Sequence, residues 1–284
     1  LKHRRHHSSL PGPPCLGARM VRSPEARTAR FPSTDGKKMY PPGGMAADEI
    51  PEPKTYPPGG QLVDDIPVPD DDDSKDKDNL NYGSGPQYWD DRYAHSQHQT
   101  FDWLRRFSQV EELIWEVTDA DPKCEILHVG CGNSELTESM YDAGFPRIVN
   151  IDISAVAIEQ MVARNNDRPE MSWLHMDATC MDFESDRFDL VLDKSLLDTL
   201  VCSVEQRAER CRRYVAECLR VLRPGGTFVV ISFDKPSERQ KHLEVPGFEV
   251  TKVEELPKAR TYGSEHWLYV CRKVPPPVDL GQLD

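Results

Sequence analysis

From residue 124 onward the apolar positions come in short continuous runs, each followed by a more polar stretch. The runs Cys124–Val129, Arg147–Ile151, Met171–His175, Phe188–Leu192 and Thr227–Phe233 predict strands buried on both faces. Helical spacing appears over Ser134–Ala143, Ser154–Asn165 and Val204–Leu222, whereas the stretch from Phe183 to Phe188 reads as a turn. Pro224-Gly225-Gly226 stops the last helix ahead of the fifth strand. Such alternation predicts an α/β fold, a doubly wound and mostly parallel sheet with helices on both faces. Two more strands, Phe248–Val253 and Trp267–Cys271, have no crossover helix between them. They predict an antiparallel C-terminal edge pair and complete a seven-stranded sheet.

Upstream, Tyr88–Tyr93 puts Trp89 and Tyr93 on one face of a short helix. A second helix is predicted from Thr100, with Trp103, Phe107, Val110 and Ile114 as its apolar stripe, broken at Asp121-Pro122. Residues 1–81 show neither period. The first 38 residues carry about seven net positive charges and residues 39–83 about eight net negative ones. The second of these stretches repeats a Tyr-Pro-Pro-Gly-Gly unit, after Met39 and after Thr55, and ends in an Asp70–Asp73 run. The composition predicts a disordered extension over residues 1–81, a folded domain over 82–274 and a short tail over 275–284.

The chain of 284 residues has a formal charge of −13, and the predicted folded part is itself acidic. An acidic domain suits a small ligand or a basic protein partner and is ill suited to gripping nucleic acid directly. The eight cysteines form no CxxC pair and join no His at zinc-ligand spacing, so no metal site is expected and the thiols are expected free. No apolar run approaches the ~18 residues of a membrane span. A cytoplasmic, monomeric protein is expected, with a mitochondrial address as the alternative reading of the basic N-terminus.

The candidate chemistry starts at Glu125–Ser134, where a strand meets Gly130 and Gly132 and a helix follows. Strand, glycine turn and helix bring backbone N–H groups against a ligand, and a glycine leaves that approach open. Asp152 ends the second strand about twenty residues on, where a carboxylate accepts both hydroxyls of a ribose. Capping of the next helix is its competing role. Asp177 follows the third strand, and its carboxylate together with the Ala178 N–H would select adenine. Asp193 and Lys194 close the fourth strand, predicted to lie beside the first, where the strand order reverses and ligands bind. Asp198, one helical turn on, lines the same wall. Glu135 stands where a dinucleotide-binding turn carries its third glycine, which argues against a dehydrogenase.

This turn resembles that of the class I, seven-β-strand methyltransferases that use S-adenosylmethionine. In that family a glycine turn, a ribose acid and an adenine-reading acid recur in this order. The Arg223-Pro-Gly-Gly226 turn and the antiparallel last pair are similar too. Gly130-Cys-Gly-Asn-Ser134, with Tyr88-Trp-Asp-Asp-Arg-Tyr93 and Phe101-Asp-Trp103, narrows the resemblance to the methyltransferase-like group that modifies protein lysines. Within it the likeness is to the elongation factor 1-alpha lysine methyltransferase 4 type, over roughly Tyr82 to Lys273.

The resemblance implies a Rossmann-like fold with S-adenosylmethionine as cofactor. Gly130 would approach its methionine part, and Asp152 and Ile153 would hold the ribose and pack on the adenine. Asp177 and Ala178 would read the adenine edge, Trp89, Tyr93 and Trp103 would close over the cofactor, and Lys194 would contact it from strand four. His128 stands where many methyltransferases have an acid. Asp193 and Asp198 are the candidates for orienting the acceptor amine. The expected reaction is methyl transfer to a lysine of a protein, with elongation factor 1-alpha as candidate partner. A small-molecule methyltransferase and a catalytically silent cofactor-binding scaffold are the alternatives.

Overall fold

The computed structural model describes residues 85–95, 100–202, 207–257 and 265–274, together with Tyr82 and the backbone of Arg19 and Met20. The tail over residues 275–284 lies outside the described residues, as does the expected disordered extension except for Arg19 and Met20. The strands are β1 (Arg19–Met20), β2 (Ile126–Val129), β3 (Ile148–Asp152), β4 (Ser172–His175), β5 (Phe188–Lys194), β6 (Leu222–Ser232), β7 (Phe248–Leu256) and β8 (His266–Lys273). They lie side by side in the order β1-β4-β3-β2-β5-β6-β8-β7. Neighbours from β4 through β6 are parallel, and β8 runs antiparallel between β6 and β7. This is the expected seven-stranded sheet with its antiparallel C-terminal pair. The two-residue β1 is added to it, antiparallel to β4.

Continuous apolar runs become central strands because alternate side chains feed two separate cores. Leu127, Val191, Phe228 and Val230 face one layer with Tyr214, Val215 and Cys218. Ile126, Leu190, Leu192, Val229 and Ile231 face the other with Ile114, Leu136, Phe145 and Ile158. The helices that supply those layers are α1 (Pro86–His95), α2 (Glu111–Val117), α3 (Leu136–Asp142), α4 (Ala155–Arg164), α5 (Leu196–Cys202), α6 (Arg207–Val221) and α7 (Pro236–Arg239). Helix α4 starts where Ser154 caps it, its side chain accepting from the Ala157 N–H at 3.2 Å.

Three local expectations are corrected. No helix starts at Thr100: Leu104 has φ +63, which a right-handed helix does not allow, and only a 3-10 turn at Phe107–Gln109 precedes α2. Pro224-Gly225-Gly226 is a distortion inside β6 rather than a break before it. The strand begins at Leu222 and its register against β5 shifts between Phe188 and Leu190. Six described cysteines are free, but Cys180 is disulfide-bonded. Among the described residues no helix is long and apolar enough to cross a membrane.

Candidate active site

Strand β2 ends at Val129, and the chain turns through Gly130 (φ +62) and Gly132 (φ +51). This left-handed backbone is open to glycine and strained for other residues. Space is closed to a side chain as well. A Cβ on Gly130 would stand 3.0 Å from the Leu196 Cβ, and one on Gly132 would stand 2.5 Å from the Tyr93 hydroxyl. Beside the turn, the Asp152 carboxylate ends β3. Its Oδ2 accepts from the Gly132 N–H at 2.8 Å and its Oδ1 from the Ser154 N–H at 2.8 Å. Asp152 is 6% exposed, and burial pushes its carboxyl up to about 6 against the pull of those two N–H groups. Each oxygen keeps a lone pair for a further donor. Supporting the next helix and offering acceptors to a ribose are therefore compatible roles.

The N-terminal elements cover this turn. Asp90 Oδ1 accepts from the Ser154 hydroxyl at 2.6 Å and the Val156 N–H at 3.2 Å, and the Gln160 amide donates to the Tyr93 carbonyl at 3.0 Å. These bonds fix α1 across the start of α4. Trp89 and Tyr93 stack at 5.9 Å, Tyr82 stacks on Trp89 at 6.0 Å and meets Trp103 edge-on at 6.0 Å. The Arg92 guanidinium lies 5.2 Å from the centre of the Trp103 ring. The segment 100–106 is held from the sheet side. Lys194 Nζ donates to Asp102 Oδ1 at 3.2 Å and to the Trp103 carbonyl at 3.0 Å, and the Ser134 hydroxyl donates to the same Asp102 oxygen. Trp103 thus belongs to the cover through these bonds and not through a helix stripe. Burial lowers the pKa of Lys194, with Asp102 acting against it.

Beside the same end of β3, the His175 ring of β4 lies 2.9 Å from the Ile153 carbonyl. Asp177 Oδ1 accepts from both the N–H and the hydroxyl of Thr179 at 2.8 Å, and Ala178 beside it is buried. The four strand ends at Gly130, Asp152, Asp177 and Asp193 share one edge of the sheet, since β2, β3, β4 and β5 are parallel neighbours.

The two carboxylates after β5 part company. Asp193 is fully buried and accepts from the Leu196 N–H at 2.7 Å, the Leu197 N–H at 3.0 Å and the Tyr214 hydroxyl at 2.7 Å. It holds the start of α5, and burial pushes it up to about 7. That placement departs from its expected contact with an acceptor amine, because three donors and a wall of side chains enclose it. Asp198 accepts from the hydroxyls of Ser195 and Ser232 at 3.2 and 2.6 Å and from the Phe233 N–H at 3.0 Å. It also pairs with the buried Arg239 at 2.8 Å. Its side chain keeps 14% exposure.

Residues 127–230 match the family described as "Methyltransferase domain". Over this segment the chain is similar to a methyltransferase domain, and its sheet has the class I, Rossmann-like order. Over 158 residues it is 40% identical to the mouse "eEF1A lysine and N-terminal methyltransferase", covering 55% of this chain and 22% of that protein. Over 164 residues it is 30% identical to the mouse "EEF1A lysine methyltransferase 4", covering 55% of this chain and 64% of that protein. The chain thus spans about a fifth of the first relative's length and just under two thirds of the second's. The solved structure of the cyclase SpnF, at 16% identity and a TM-score of 0.50, covers 70% of this chain and 97% of its own, a likeness of fold alone.

The residues around the turn fit S-adenosylmethionine, the cofactor of the methyltransferases that the chain resembles. Asp152 keeps lone pairs beside the glycine turn, and one buried ring nitrogen, His128 Nε2, has no partner among the described residues. A cavity of about 210 Å³ lies to one side, lined by Thr100, Asn133, Gln160, Met161, Ala163 and Arg164. It is not over the glycine turn, where Tyr93 and Leu196 pack. No group of three or more metal-ligating side chains occurs among the described residues. Asp90, Asp102 and Ser134 hold the cover in place, roles that their local sequence does not signal. Their partners lie 32 to 92 residues away.

Proposed function

We propose that this protein transfers a methyl group from S-adenosylmethionine to a lysine side chain of a protein, with eEF1A as the first candidate. What carries the reading is the 30–40% identity to two proteins named as eEF1A lysine methyltransferases. The contact of the Gly132 N–H with Asp152 at 2.8 Å supports the cofactor half of it. Gly130 and Gly132 let the backbone approach the methionine end, and Asp152 accepts from the ribose hydroxyls. Ile153 packs on the adenine, whose edge Asp177 and Ala178 read. Trp89, Tyr93 and Trp103 close over the cofactor, and Lys194 anchors that cover through Asp102 and the Trp103 carbonyl.

Bound there, the cofactor supplies a methyl group already activated by its sulfonium charge. The chain has to present a neutral amine in line with it, a matter of proximity and orientation. The Lys194 cation and the water-excluding cover favour loss of the proton from an approaching lysine ammonium. Asp198 is the remaining candidate for orienting the amine, with Ser195, Ser232, the Phe233 N–H and Arg239 already on its oxygens. Asp193 is a positioning residue, acting through Leu196, Leu197 and Tyr214.

The test is incubation of the full chain with tritiated S-adenosylmethionine and purified eEF1A, and in parallel with a cell lysate. Label on a lysine of eEF1A, absent with Asp152→Ala, is the expected result. Label confined to the small-molecule fraction would make it a small-molecule methyltransferase, and cofactor binding without any labelled product would make it a silent scaffold.

A further inference from the structure

Strand β6 runs parallel to β5, so its carboxyl end lies on the same edge of the sheet as Gly130, Asp152 and Asp193. Phe233 follows that end directly and is 53% exposed. Among the described residues one other large apolar side chain is left exposed, Val253, inside the edge strand β7. A lone exposed ring is ordinary on a protein surface. This one stands on a backbone tied down from several sides. The Phe233 N–H donates to Asp198 Oδ2 at 3.0 Å, and the Ser232 hydroxyl donates to Asp198 Oδ1 at 2.6 Å. The Asp234 N–H donates to Ser232 Oγ at 3.1 Å, and the Tyr269 hydroxyl donates to the Asp234 carbonyl at 2.7 Å. The buried Arg239 pairs with both Asp198 and Asp234. The ring also borders the cover. Its centre lies 6.4 Å from that of the His266 ring, whose Nδ1 accepts from Arg105 Nη1 at 2.6 Å. Phe233 thus links Asp198, the remaining candidate for orienting the amine, to the segment 100–106 that carries Trp103.

We propose that Phe233 is an anchor for the acceptor protein, taking an apolar side chain that flanks the target lysine. The inference rests on the proposed transfer to a protein lysine and names what the site reads beside the lysine itself. A lysine side chain is a cation on an apolar stem, so a surface that delivers it needs apolar area leading to an acid. Phe233 supplies the first and Asp198 the second, joined through one backbone hydrogen bond. Charge points to the same occupant. A chain of formal charge −13 attracts basic segments, in which lysines occur, and repels a second copy of itself. Bonds on both sides already fix residues 232–234, so docking on the ring orders little that was free. A single aromatic anchor of this kind carries a large share of the affinity.

The test is methylation kinetics of the full chain with tritiated S-adenosylmethionine and purified eEF1A, or the purified lysate protein that takes the label if eEF1A does not. Phe233→Ala is expected to raise KM for the acceptor by about tenfold and to leave kcat and the affinity for S-adenosylhomocysteine unchanged. Phe233→Leu, which keeps apolar area, should restore most of that loss, and Val253→Ala should change nothing. An unchanged acceptor KM in Phe233→Ala overturns the inference. So does a loss of S-adenosylhomocysteine affinity equal to the rise in KM, which would make the ring part of the cover. Self-association of the unmodified chain that Phe233→Ala abolishes, seen by sedimentation, would assign the ring to a second copy and overturn it as well. If the unmodified chain labels no protein at all, the lysine reading itself fails, and this anchor with it.

Discussion

Two carboxylates stand at the ends of neighbouring regions of one sheet edge, Asp152 after β3 and Asp193 after β5. Both are buried, and burial raises both, to about 6 and about 7. Their surroundings differ. Asp152 is held by two backbone N–H groups, one of them from the glycine turn itself, and α1 lies over it through bonds to the Ser154 hydroxyl and the Val156 N–H. Asp193 is enclosed by two N–H groups of α5 and the hydroxyl of Tyr214, a residue of the core. Placement at the carboxyl end of a strand therefore does not by itself make a ligand-binding acid. The donors differ in number and kind: Asp152 accepts from two N–H groups, one of the glycine turn and one at the start of α4, whereas Asp193 accepts from two N–H groups of α5 and a core hydroxyl.

The contrast breaks first on Asp193→Ala. Leaving two N–H groups and a hydroxyl unpaired in the core should cost ~3–5 kcal/mol, read as a lowered denaturant midpoint. A variant as stable as the unmodified chain would show that Asp193 is no support. Asp152→Ala should act mainly on binding instead, weakening S-adenosylhomocysteine by roughly a hundredfold in calorimetry while costing only about 1–2 kcal/mol of stability. Equal effects of the two substitutions on binding would erase the distinction between them.

Titration sharpens it. The Asp152 carboxyl is raised in the folded chain to about 6, above the ~3.9 of an unfolded Asp, so the folded state prefers it protonated. The stability this gives is fully present below about pH 4 and is lost as pH rises through about 6. Asp152→Asn removes that titration, so the stability advantage of the unmodified chain over this variant should shrink across the window by about 3 kcal/mol. For Asp193 the same decline should extend to about pH 7. Urea midpoints measured from pH 4 to 8 check both. The smallest effect is expected at Gly132→Ala, about 1–2 kcal/mol from a strained φ of +51 and the contact with the Tyr93 hydroxyl. Tyr93→Phe in the same chain should return part of that loss, and no recovery would mean the strain lies in the backbone alone.

Much of the fold was legible because its causes are local. Continuous apolar runs can be buried only between two layers, and β2, β3, β5 and β6 are so buried. The misreadings came where a local pattern met a distant constraint. Trp103, Phe107, Val110 and Ile114 do have helical spacing, but Lys194 and Ser134 draw Asp102 and the Trp103 carbonyl toward the sheet. The backbone bends at Leu104 instead. Likewise Pro224-Gly225-Gly226 looks like a stop, yet pairing of Leu222 with Phe188 starts β6 before it.

The amino-acid order alone determined the alternation of strands and helices, the glycine turn and the acid about twenty residues beyond it. Each follows from periodicity or from the conformational freedom of a single residue type. Tertiary structure alone decided which donors each strand-end acid meets, the Gly132 N–H at Asp152 and the Tyr214 hydroxyl at Asp193, and it brought Asp102 to Lys194 from 92 residues away. Such outcomes depend on which donors arrive from distant parts of the chain, and nothing in a residue's immediate neighbours records that.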